Sequence, residues 1–108
     1  MKNAVHVTVA NFPVEVLQSE APVIVDFGAP WCGPCKLLDP LLDDLAAEYA
    51  GRVKVAKVDL ETDPDLAVAL RVTHVPTLVI YRAGAVIETI TGFRGPAPVR
   101  KLFETLAR

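Results

Sequence analysis

Cysteine is nearly absent from this chain: Cys32 and Cys35 are the only two among 108 residues. Histidine is as scarce, with His6 and His74 alone. A four-coordinate structural zinc would have to recruit both histidines beside the two cysteines, and they lack the spacing of a zinc finger. No apolar run approaches the roughly 20 residues of a membrane-spanning helix. Residues Met1 to Phe12 alternate apolar with polar where a signal peptide needs a continuous apolar stretch. The chain therefore reads as cytosolic with no membrane partner, a setting in which a persistent structural disulfide is disfavoured.

Neither sign of charge dominates. Eleven Lys and Arg stand against thirteen Asp and Glu, a net charge of -2, and Arg100-Lys101 is the only adjacent basic pair. That gives no electrostatic footprint for nucleic acid or an anionic surface. Repeats, low-complexity tracts and linkers are missing too, so the 108 residues read as one domain, 1–108, with a monomer as the default. At 52% hydrophobic residues the chain can build a core.

The apolar pattern supplies the elements. Val5, Val7 and Val9 alternate with His6 and Thr8 as a half-exposed strand. Asn11 is the expected N-cap of a helix through Val14–Leu17. Pro22–Phe27 is apolar on both faces except for Asp26, the pattern of a central strand covered on both sides. From Cys35 to Tyr49, residues Leu38, Leu41, Leu42, Leu45 and Tyr49 follow a helical period up to a stop at Gly51; Pro40 should kink this helix without ending it.

Val53–Asp59 is a strand, and Asp63-Pro64 caps and opens a helix through Leu66, Ala67 and Leu70. Thr77–Arg82 and Val86–Thr91 form a hairpin across Ala83-Gly84. Gly95-Pro96 opens a last helix that buries Val99, Leu102, Phe103 and Leu106. The order β-α-β-α-β-α-β-β-α predicts an α/β fold, a mixed five-stranded central sheet flanked by four helices.

Both cysteines lie in the stretch WCGPC, residues 31–35. As a structural staple the pair achieves little: in the chain-entropy model a loop of about four residues yields about 2 kcal/mol, against about 4.7 for one of about 100. A dithiol cycling with a disulfide instead needs two neighbouring sulfurs, one exposed as nucleophile and one held back to resolve the mixed disulfide. A strand ending at Phe27-Gly28 and a helix starting near Pro34 place Cys32 at the helix N-terminus and Cys35 in its first turn. There the helix dipole and unpaired N–H groups favour the thiolate.

WCGPCK, preceded by VDFGAP and followed by VAKVDLETDP and HVPTLVIYRAG, resembles the thioredoxin family from about Val5 to Leu106. The resemblance implies a protein-disulfide reductase with no bound cofactor beyond the redox-active pair. Cys32 would attack target disulfides, Cys35 would resolve, and thioredoxin reductase would restore the dithiol. Gly33-Pro34 matches the reducing version of the loop; other dipeptides occur in oxidants and isomerases. Asp26, with Lys57 on the neighbouring strand, is expected to assist proton transfer around Cys35, and burial should raise the Asp26 pKa. The alternative for this pair is a purely structural one.

The resemblance also implies a cis Val75-Pro76 bond that frees the Val75 backbone to pair with a substrate strand. Trp31, Gly33, Pro34, Val75, Pro76 and Gly92 match the apolar docking surface around the exposed sulfur. Two positions depart from the pattern. Gly28 replaces a tryptophan, so that a cavity opens behind the loop or neighbouring side chains fill it. His74 replaces a small residue, and near Cys32 an imidazolium would make the pair more oxidising or pH-sensitive; the alternative is a solvated loop histidine. Rival readings are a disulfide isomerase or oxidant, or a binding module that uses the apolar surface whatever its redox state.

Overall fold

A computed structural model describes residues 1–108. Its five strands are β1 (Val5–His6), β2 (Val23–Gly28), β3 (Lys54–Asp59), β4 (Thr77–Arg82) and β5 (Ala85–Thr91), in the sheet order β1-β3-β2-β4-β5. The β1-β3 and β3-β2 pairs are parallel, β2-β4 and β4-β5 antiparallel. Four helical segments flank the sheet: a single wide turn at Pro13–Leu17, then α1 (Gly33–Glu48), α2 (Pro64–Ala69) and α3 (Pro96–Leu106). The mixed α/β architecture expected from the pattern is present.

Strand β2 is buried along its whole length, and its alternation divides the core. Val23, Val25 and Phe27 face Phe12, Val16, Leu66 and Ala67. Ile24 faces the opposite side, against Leu38, Leu42, Leu45 and Phe103 of α1 and α3. Side chains two apart on a strand share a face, so Asp26 and Gly28 lie on the α1 side with Ile24. The same alternation in β3 brings Lys57 to that side with Val55, and the parallel register sets Asp26 beside Lys57 and Gly28 beside Asp59.

Helix α1 runs through Pro40 unbroken. The proline cannot donate to the Lys36 carbonyl, but the apolar stripe of Leu38, Leu42 and Leu45 continues on both sides of it and holds the helix to the sheet. The hairpin turns at Ala83 (φ 52°) and Gly84 (φ 80°), left-handed conformations suited to the twist of antiparallel strands.

Three local expectations need correction. Strand β1 stops at His6 instead of reaching Val9, because Asn11 Oδ1 accepts a hydrogen bond from the Thr8 N–H at 2.7 Å and turns the chain out of the ladder. Asn11 is thereby committed and does not cap the following turn; Phe12 holds the N-cap position with no side-chain bond. Asp63 sits at the N-cap of α2, yet its carboxylate accepts from Thr62 Oγ1 at 3.0 Å and caps nothing.

Candidate active site

The central strand delivers the chain to a short loop, and α1 begins where the loop ends. Cys32 has extended backbone at the N-cap (φ -83°, ψ 109°), and its Sγ accepts a hydrogen bond from the Cys35 N–H at 3.2 Å. This is the role that Ser or Asp oxygens play at other helices, here performed by sulfur. Cys32 and Cys35 are disulfide-bonded with Cα atoms 5.3 Å apart. Pro34 falls in the first helical turn, where its missing N–H leaves no bond unmade.

The expectation of one exposed and one buried sulfur is corrected. Cys32 is 4% and Cys35 2% exposed, in a small cluster with Ala29 against which Val75 packs. What stands exposed is the rim: Gly33, Pro34 and, at 66%, the Trp31 side chain. The Val75-Pro76 bond is cis. Pro76 O accepts from the Gly92 N–H at 2.8 Å, tying the β5 end to the same rim, while the Val75 N–H and C=O make no hydrogen bond within the chain. His74 is exposed, with Nδ1 against Thr73 Oγ1 at 2.9 Å, and it bonds to neither sulfur.

Behind Cys35 the α1 face of the sheet carries charge. Asp26 is 0% exposed, and the Lys57 ammonium donates to its Oδ2 at 3.2 Å. Lys57 also donates to Asp39 Oδ2 on α1 at 3.0 Å. Desolvation by burial, reinforced by the neighbouring Asp39 carboxyl, pushes the Asp26 carboxyl up to about 8 against the pull of Lys57. Burial alone would lower the Lys57 pKa, but the Asp26 charge and the Asp39 bond outweigh it and the net direction is upward.

Sequence reasoning missed Asp39. Its signal was spacing: four residues beyond Cys35, it lies on the same face of α1.

The space at position 28 is also settled. A Cβ there would collide with the Lys57 ammonium and stand 3.2 Å from Cys35 Sγ. The lysine side chain fills the space next to the backbone. Beyond it an open hollow of about 300 Å³ remains, lined by Ala29, Pro30, Lys36 and Asp59 with Cys35, Asp39 and Lys57. Gly28→Ala is expected to displace the ammonium from Asp26 and Asp39 and cost about 1–2 kcal/mol, because the lost hydrogen bonds to buried carboxyl oxygens outweigh the entropic gain of alanine. Urea denaturation of both proteins at pH 7 measures this; equal stability would show that Lys57 finds another route to the carboxylate.

A sequence model of the thioredoxin family matches residues 3–107. The chain is similar to "Thioredoxin 1" of Nostoc sp., at 39% identity over 108 residues covering 100% of this chain and 98% of that protein. It is 44% identical over 92 residues to "Thioredoxin 1" of Synechococcus elongatus, covering 85% of this chain and 86% of the other. A third relative is the "Bifunctional thioredoxin reductase/thioredoxin" of Mycobacterium leprae, 41% identical over 99 residues, which cover 89% of this chain and 22% of that longer protein.

Proposed function

The chain belongs to the thioredoxin family, and on that footing we propose that it is a general protein-disulfide reductase working as a single domain, residues 1–108. The observation that carries this reading is the Cys32-Cys35 disulfide at the start of α1, with Cys32 Sγ already accepting the Cys35 N–H. In the reduced protein the same N–H and the helix dipole stabilise a Cys32 thiolate. That thiolate attacks one sulfur of a target disulfide, and the other target sulfur leaves as a thiolate. Cys35 then attacks Cys32 Sγ, the mixed disulfide breaks, and the second target thiolate departs. Two electrons have passed from the dithiol to the target.

The Cys35 thiol must lose its proton to attack, and Asp26, buried behind it with Lys57, is the base in this reading. Trp31, Gly33, Pro34, Val75, Pro76 and Gly92 form the docking rim. The unpaired Val75 N–H and C=O favour a target segment in extended conformation, bound by backbone pairing. The electrons are carried on sulfur, with no bound cofactor in the scheme. We assign re-reduction to thioredoxin reductase, a pairing supported by the Mycobacterium leprae relative, whose name joins both proteins. A monomer in the cytoplasm completes the proposal; no helix is long and apolar enough to cross a membrane.

The deciding measurement is the reduction potential of the pair, obtained by equilibration with glutathione buffers and counting of alkylatable thiols. The expected value is near the roughly -270 mV of thioredoxin. A value near about -180 or -120 mV would replace the reductase with an isomerase or oxidant. Partner binding that survives replacement of both cysteines would instead make the rim a redox-independent binding module.

A further inference from the structure

Three charged groups meet behind Cys35, one more than the Asp26-Lys57 pair. Two carboxylates flank a single ammonium, an arrangement that is one negative charge in excess if both are ionised. Asp26 is wholly buried and the Asp39 side chain is 26% exposed. The second oxygen of each carboxylate, Asp26 Oδ1 and Asp39 Oδ1, is buried without any hydrogen-bond partner. Two buried acceptors cannot satisfy one another, but a proton on either turns it into a donor. One proton thus removes both the excess charge and the missing bond.

We infer that Asp39 is a positioning residue of the resolving step: it holds Lys57 in the space that glycine leaves at position 28, and the proton retained by the two carboxyls passes between Asp26 and Asp39 to reach water. The inference rests on the reductase reading and adds an exit for the proton. When Cys35 loses its proton to Asp26, the Cys35 sulfur bonds to Cys32 and the Cys32-target bond breaks. The departing target thiolate keeps its electron pair and takes a proton from solvent. Asp26 has no exposed surface of its own, whereas Asp39 borders the open hollow and can release the proton there. Asp26 then returns to its starting state.

The other titratable groups around the cluster are few. From α1 come Cys35 and Lys36, and from β3 comes Asp59, all lining the same hollow. On β4 the residue registered beside Asp26 is Leu78, which carries no charge. Lys36 and Asp59 make no ion pair with any of the three groups.

The test uses 5,5′-dithiobis(2-nitrobenzoate) with the reduced protein in stopped flow. The first released thiolate reports attack by Cys32, and the second reports resolution by Cys35. For Asp39→Asn, removal of the like charge should move the midpoint of the pH profile of the second phase down by about one unit, a tenfold change in proton affinity. The first phase should change less than twofold, and Asp39→Glu should return the midpoint to its original position. Superimposable second-phase profiles for the unsubstituted and Asp39→Asn proteins would overturn the role of Asp39 and leave the reductase intact. Absence of any second phase in the unsubstituted protein would overturn both.

If Asp39→Asn does not fold, carboxyl-carbon NMR of the unsubstituted reduced protein decides the matter. Asp39 should show an inflection at the Asp26 midpoint, because sites sharing a proton titrate together. An Asp39 signal that is flat there would overturn the inference.

Discussion

Replacing Cys32 with serine should abolish reduction of protein disulfides, while Cys35→Ser should leave the first attack intact and stop the cycle at a covalent complex. The thiolate is the attacking species, and a serine hydroxyl supplies no comparable anion at neutral pH, so the loss is expected on the order of a thousandfold or more. The geometry separates the two cysteines by role even though burial does not: Cys32 Sγ receives the N–H of residue 35 at 3.2 Å, whereas Cys35 is followed only by the charged cluster beneath it. Reduction of insulin, read by turbidity, measures the first loss. Gel mobility under non-reducing conditions measures the second, as a dithiol-reversible adduct that accumulates to one equivalent. Full turnover by Cys32→Ser, or an adduct formed by that variant and not by Cys35→Ser, would reverse the assignment.

The central strand, the helix carrying the pair and the β4-β5 hairpin were legible because a long-range rule governs each. Pro22–Phe27 had to be central since no face of it could meet water, and the period of Leu38, Leu42 and Leu45 passed through Pro40 regardless of the local penalty. The misplaced features were decided by single polar side chains with competing partners. Asn11 could cap the next turn or close a loop on Thr8, and both are ordinary uses of asparagine. Asp63 likewise met Thr62 first.

At the site, the Asp26-Lys57 pairing follows from strand parity, which is readable from spacing alone. The Asp39 contact depends on how far helix α1 stands from the sheet and on Gly28 leaving room, neither of which a one-dimensional pattern records. The small cluster around the disulfide is packed against by Val75, which arrives from a distant loop.

Asp26→Asn should make the protein more stable in alkaline solution and slower in its second step. In the folded state the carboxyl is pushed up to about 8 from 3.8, so between those values the folded protein holds a proton that the unfolded chain has released. Stability therefore falls as pH rises across that window, and the full penalty is present above about pH 8. A gap of this size sets a ceiling of about 6 kcal/mol at 1.36 kcal/mol per unit. Lys57 returns part of it, since its own raised pKa stabilises the folded state below its unfolded value and that gain weakens when Asp26 is neutral. A net gain on the order of 3 kcal/mol at pH 9, or roughly 10 °C or more in Tm, is expected for the variant. Below about pH 4 the two proteins should be alike, since Asp26 is protonated in both states there. Release of a bound target by Cys35 should slow by about 10- to 100-fold with the base removed. Urea denaturation from pH 4 to 9 and single-turnover kinetics at pH 7 measure the two effects. Stability curves that stay parallel over the whole range would mean that Asp26 is ionised in the folded protein at neutral pH, its charge balanced by Lys57 alone.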